Sequence, residues 1–171
     1  LFRRVNFSNN IVYGANFGPA STYYLDNSYL AENKDAQLRI ATSGLHTALN
    51  STVSNVSICA ACNLSVQWKV SVSVNQTNRN AASSANVQLY SRNFANTSNF
   101  TNVTGSSGYI RYLNVTEYYQ YGTTFVWATN YTLNASKEGF YNATKSLNFT
   151  GPNETFITLS SGPEYGYFEI N

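Results

Sequence analysis

Between residues 64 and 74 the chain alternates without a break. Leu64, Val66, Trp68, Val70, Val72 and Val74 are apolar, and Ser65, Gln67, Lys69, Ser71 and Ser73 separate them. Successive side chains of a strand point to opposite faces, so this stretch predicts a strand with one buried face. A second alternation, 124–134, groups Phe125, Trp127, Tyr131 and Leu133, and a third, 140–150, groups Tyr141, Ala143, Leu147 and Phe149. Shorter candidates lie at 36–42, 52–58, 85–91, 109–115 and 155–160, and 165–170 is placed to close the sheet. Asp26 or Asn27 can cap the one expected turn of helix, 27–38. Asn-, Ser- and Gly-rich loops are expected at 76–84 and 92–108. About eight short strands with turn-rich joins predict an all-β fold, an antiparallel β-sandwich of Greek-key, Ig-like type.

Ahead of these strands stands a segment of different character. In residues 1–13, Leu1, Val5, Phe7, Ile11 and Tyr13 share one face, interrupted by Arg3 and Asn9, while Asn6, Ser8 and Asn10 share the other. Residues 14–20 follow, with Gly14, Gly18 and Pro19, and read as a flexible break before a domain at 21–171. Such an arm fits two roles. It can be the first strand of its own sheet, or it can fill an open groove in a neighbouring copy, its backbone completing the sheet and its alternate side chains entering pockets. Repeated head to tail, that second contact does not close and builds a filament.

Composition narrows the setting. Charged residues are 11% of the chain and aromatics 15%, with 14 tyrosines. That is ample material for a core, so the chain is not a disordered one. Solubility then rests on amides, hydroxyls and attached sugars, and few groups change protonation in acid. The net charge of +2 gives no footprint for nucleic acid or for a polybasic membrane contact. No apolar run of about 18 residues is present, so neither a bilayer span nor the apolar helix of a type IV pilin is expected. We read Leu1 as close to a mature N-terminus, without a signal peptide, and the C-terminal residues as lacking an anchor tail.

Fourteen Asn-X-Ser/Thr triplets, none with a central proline, begin at Asn6, Asn50, Asn55, Asn63, Asn75, Asn96, Asn99, Asn102, Asn114, Asn130, Asn134, Asn142, Asn148 and Asn153. With 24 Asn and 37 Ser or Thr in 171 residues, chance gives about five. The excess predicts dense N-glycosylation and an extracellular location. Strand parity agrees: Asn63, Asn75, Asn130, Asn134, Asn142 and Asn148 all fall opposite the apolar residues of their predicted strands.

Little in the chain suggests catalysis. Cys59 and Cys62 form a CxxC between strand-like segments; a local disulfide at a hairpin turn suits an oxidising compartment better than a redox or zinc site. A Ser-His-Asp triad would have to use His46 with Asp26 or Asp35, and Gly105-Ser106-Ser107-Gly108 lacks nucleophile-elbow spacing. Glu138 and Glu154 are a carboxylate pair by count alone. No metal-ligand set or phosphate-cradling loop appears, so we expect no enzyme, no metal and no cofactor beyond covalent N-linked glycans. Lys145 shares parity with Ala143, Leu147 and Phe149. A buried lysine there would need a partner or an isopeptide bond to an Asn, whereas a rim position lets it snorkel.

A charge-poor, Asn/Ser/Thr/Tyr-rich chain with many acceptors and an alternating N-terminal arm resembles the subunits of archaeal surface filaments. It is most similar in style to the thread pilins of Sulfolobus-type thermoacidophiles, and in principle to the bundling pili of other hyperthermophilic archaea. The resemblance implies glycosylated β-sandwich subunits joined into a helical homopolymer by donor-strand complementation, serving adhesion or biofilm formation, with residues 1–13 as donor strand. The competing reading is a monomeric extracellular carbohydrate- or receptor-binding module using Tyr118, Tyr119 and Tyr121.

Overall fold

The computed structural model describes residues 1–8, 13–18, 22–31, 36–93 and 100–162. Among them the chain is all strand, turn and bend, with no helix. The described residues up to Ile58 form three successive coils. The first coil holds β1 (Phe2–Arg3), β2 (Asn6–Ser8) and β3 (Tyr13–Phe17). The second holds β4 (Tyr24–Asp26), β5 (Tyr29–Ala31) and β6 (Ala36–Ile40), and the third β7 (Gly44–Leu49), β8 (Thr52–Val53) and β9 (Val56–Ile58). Each strand pairs in parallel with its counterpart in the next coil, giving three ladders, β1-β4-β7, β2-β5-β8 and β3-β6-β9.

The register repeats every 23 residues: Phe2 faces Leu25 and Leu25 faces Ala48, while Phe7 faces Leu30 and Leu30 faces Val53. In the third coil the last corner is shorter, so Leu38 meets Val56. One corner is built alike in all three coils. Arg4, Asn27 and Asn50, 23 apart, have φ of 53°, 50° and 48°. Asn tolerates this left-handed conformation better than other non-glycine residues, whereas Arg is strained there by roughly 1 kcal/mol. Leu25, Leu30, Leu38, Ile40 and Leu49 fill the interior, each worth about 2 kcal/mol of burial.

The parallel coils replace the antiparallel pairing expected over this region. They also replace the turn of helix expected at 27–38, where β5 and β6 stand instead. A single helical turn forms too few backbone bonds to compete with three ladders that bury an interior. Residues 14–17, expected to be part of a flexible break, are strand paired to β6.

Beyond the coils lie β10 (Cys62–Gln76), β11 (Asn86–Ser91), β12 (Phe100–Val103), β13 (Tyr109–Tyr121), β14 (Thr124–Trp127), β15 (Tyr131–Ser136), β16 (Ala143–Leu147) and β17 (Asn153–Leu159). The chain divides into two compact units. The first comprises Leu1–Val70, Leu113–Thr129 and Asn148–Asn153. In it the β1-β4-β7 ladder continues into β10, β13 and β14, with Cys62 to Gln67 lying parallel on Gly44 to Leu49. Leu64, Val66, Trp68 and Val70 are buried, as their alternation predicts.

The second unit is built on the antiparallel sheet β12-β11-β15-β16, with β17 paired to β10. Val72, Val74, Val87, Leu89, Leu133 and Ile157 are among its buried residues. The alternation at 124–134 predicts one strand, but the chain forms two. Asn130, at φ 75°, turns the backbone out of the extended region, so β14 joins the first unit's sheet and β15 the second's. Phe125 and Trp127 are consequently exposed while Tyr131 and Leu133 are buried.

Candidate assembly edge and acceptor asparagines

The N-terminal segment is the first coil. Leu1 is 75% exposed, and its neighbour Phe2 supplies the ring contacts, stacking on Phe17 and Tyr23 at 5.7 and 6.4 Å. The left-handed Arg4 breaks the two-residue period, so Phe2 packs against rings while Val5 and Phe7 are half-buried after the corner. Tyr13 opens β3 opposite Ala36; Ile11 lies outside the described residues. Of the five residues expected on one donor face, Val5 and Phe7 thus share a half-buried setting and Leu1 does not. β1, β2 and β3 are each the end strand of their ladder, and among the described residues no strand pairs with their outer edges. Among the described residues these three strands of one coil thus end their ladders on one side, the kind of edge to which further strands can add. β8 and β9 end their ladders at the opposite side.

Charged and polar side chains staple the coils together. Asp26, buried, accepts from Arg3 Nε at 3.0 Å through Oδ2 and from Lys69 Nζ at 2.8 Å through Oδ1. Asn27 Nδ2 donates to the same Oδ1 at 2.7 Å, and Asn50 Nδ2 donates to Asn27 Oδ1 at 2.6 Å. His46 is fully buried: Nδ1 accepts from the Tyr23 amide at 3.1 Å and Nε2 donates to the Thr42 carbonyl at 3.0 Å. That arrangement engages both ring nitrogens with backbone groups. Asp26 is committed to two cations, and Asp35 lies outside the described residues, so His46 has no orienting acid in view. Cys59 and Cys62 form the expected disulfide, at the corner between β9 and β10, where the Cys62 amide also donates to the Cys59 carbonyl at 3.0 Å.

Twelve of the fourteen acceptor asparagines are described; Asn96 and Asn99 are not. Asn6, Asn55, Asn102, Asn114, Asn130, Asn142, Asn148 and Asn153 are exposed, Asn50, Asn63, Asn75 and Asn134 are half-buried, and none is fully buried. The hydroxyl partners of the triplets divide differently. Ser65, Thr104, Thr116, Thr132 and Thr155 are buried, although their acceptors Asn63, Asn102, Asn114, Asn130 and Asn153 are not. Asn50 is the least available acceptor, since its Nδ2 is held by Asn27 and its buried Oδ1 has no hydrogen-bond partner.

Other candidates fall apart or change role. Tyr118, expected at the surface, is 8% exposed, packed against Phe125 and Trp127 at 5.4 and 5.0 Å. Burial, then the neighbouring Glu117 carboxylate, push its phenol up to about 12. Glu117 is itself raised by burial, offset in part by the Trp68 indole N–H donating to Oε2 at 2.6 Å. Tyr121, Phe125 and Trp127 are the exposed rings of this hairpin. Lys145 sits at the rim, its Nζ bonded to the Phe156 carbonyl at 3.0 Å and Thr155 Oγ1 at 3.2 Å and 4.6 Å from the Phe156 ring centre. These are snorkelling contacts rather than an approach to an Asn side chain. Glu154 accepts from the Tyr109 hydroxyl, and Glu138 lies exposed in a turn.

Among the described residues, no group of three or more metal-ligating side chains gathers, and no helix is long and apolar enough to cross a membrane. No protein-family model matches the chain, and no curated protein matches it.

Proposed function

We propose that this chain is a glycosylated structural subunit of an extracellular filament, joined head to tail through its N-terminal segment. The observation that carries the reading is the edge of the first coil: among the described residues, β1, β2 and β3 end three parallel ladders together. Stacked repeats ordinarily need a polar cap at each end to stay monomeric. An edge at one end and a different edge at the other make a heterologous contact, which propagates instead of closing. Residues 1–13 serve as the joining segment, either donated to the next copy or paired edge to edge with it. Abundant accessible acceptors and a disulfide suit an oxidising exterior.

Truncation tests the role of that segment. A chain lacking residues 1–13 remains folded through β10–β17 and does not polymerise, by light scattering and sedimentation. Polymerisation of the truncated chain at the full-length rate would exclude the segment from the joint.

The exposed Phe125 and Trp127 rings, stacked at 6.3 Å and 19° between planes, favour a second reading. They form a flat apolar face suited to a partner's ring, as a monomeric extracellular binding module would use. The two readings part on whether native material is polymeric.

A further inference from the structure

The second unit carries an open cleft of about 590 Å³ lined by Ser71, Ser107, Tyr109, Arg111, Tyr112 and Glu154. A carboxylate, a guanidinium, two phenols and two hydroxyls converge from β10, β13, β17 and the turn before β13. Two backbone features lie beside it. Gly108, at φ 69°, brings that turn so close to β10 that an added Cβ would lie 2.5 Å from the Val74 carbonyl oxygen. Tyr112 adopts φ 59° inside a strand and is 69% exposed. A bulky residue in the left-handed region is strained, and here the strain turns an aromatic ring outward beside the cleft instead of into a core.

We infer that this cleft is a saccharide-binding site that takes a neutral pyranose ring. Tyr109 O–H donates to Glu154 Oε1 at 2.5 Å, which orients a carboxylate with further lone pairs for adjacent sugar hydroxyls. Arg111 stands over the Tyr109 ring, 5.5 Å from its centre, and offers a fork of donors to ring and hydroxyl oxygens. Ser71 and Ser107 add hydroxyls able to donate or accept, and the Tyr112 ring supplies a face for the apolar C–H side of the sugar. The volume lies within the usual range for a small-ligand site. Glu154 beside Arg111 disfavours a phosphate or sulfate, because a second anion would share the cleft with a carboxylate. The acceptors Asn114 and Asn153 flank the lining residues in sequence, so the sugar can come from the glycans of this protein itself or from another surface. The inference holds whether or not the chain polymerises.

Saturation-transfer NMR on the full chain, before and after enzymatic deglycosylation, tests it with the methyl pyranosides of glucose, mannose and galactose. We expect transfer to at least one pyranoside with the deglycosylated chain. Tyr112→Ala and Glu154→Gln should each weaken binding by about tenfold (~1.4 kcal/mol). Denaturant midpoints of both variants equal to that of the parent guard against a folding artefact. Binding only after deglycosylation identifies the protein's own glycans as the occupant, and binding in both states identifies glycans from elsewhere. Absence of transfer to all three pyranosides, or binding indifferent to both weakening variants, overturns the assignment, as does preferential binding of inorganic phosphate.

Discussion

The side-chain amide of Asn50 donates to the side-chain oxygen Oδ1 of Asn27, 23 residues earlier, at 2.6 Å. Both residues sit at the same left-handed corner of successive coils, and Arg4 occupies that corner in the first coil at φ 53°. Arg4 thus bears the strain of the corner without the side chain that suits it. Arg4→Asn is expected to raise stability by about 0.5–1 kcal/mol, by relieving the left-handed penalty and extending the amide ladder. Asn50→Ala is expected to lower it by about 1–3 kcal/mol. Urea unfolding of the two variants checks both signs; a destabilising Arg4→Asn would contradict the coil register.

The same bond has a consequence for modification. With its Nδ2 held by Asn27 and its Oδ1 buried, Asn50 is expected to remain unglycosylated in the folded protein, whereas Asn55, five residues on and exposed, is expected to carry sugar. Glycopeptide mass spectrometry reads both sites at once. It also times the reaction: Asn63, Asn102, Asn114, Asn130 and Asn153 have their triplet hydroxyls buried, so high occupancy there places glycosylation before folding. Occupancy confined to triplets with accessible hydroxyls places it after.

Asp26 joins the first coil to the second and to β10, through Arg3 and Lys69. Its loss leaves the partly buried Lys69 ammonium without its carboxylate, and Asp26→Ala is expected to cost about 3 kcal/mol. Arg3, mostly exposed, contributes less than about 1 kcal/mol. Thermal unfolding of the two single variants should separate them in that order. Equal losses would show that the bridge acts as a surface pair.

Glu117 sets a pH dependence of definite sign. Burial raises its pKa above the ordinary 4.5, partly offset by the Trp68 hydrogen bond, so the native state holds the proton more tightly than the unfolded chain does. The resulting stability is fully present below 4.5 and is lost as pH rises through the raised folded value. Glu117 therefore favours the fold in mild acid over neutral solution. Glu117→Gln is expected to be more stable than the parent at pH 7 and to flatten this slope, measured by denaturant midpoints at successive pH values. A variant less stable at neutrality with an unchanged slope would contradict this role.

What the sequence discloses and what it conceals follow from which periodicity is in play. The two-residue alternation of 64–74 marks β10 and its buried face, because a half-buried strand must alternate whatever its partners are. The pairing of Cys59 with Cys62 is equally local. The coils are written in a longer period. Asn27-Ser28-Tyr29-Leu30 recurs as Asn50-Ser51-Thr52-Val53, 23 residues later, and Ser28 and Ser51 are bonded, amide to hydroxyl, at 3.0 Å. A search for internal repeats finds that signal, whereas alternation does not test for it. In the first coil Arg4-Val5-Asn6-Phe7 departs from the pattern, which is why the segment reads as a separate arm. The cleft was illegible for another reason: Ser71, Tyr109 and Glu154 are far apart in the chain and meet only through β10, β13 and β17.

Electron microscopy of native material, negatively stained and never exposed to denaturant, tests the filament reading most directly. The account predicts long fibres of uniform width with a regular subunit repeat, lost when residues 1–13 are removed. Discrete particles at concentrations well above the physiological range would contradict it and leave the binding-module reading.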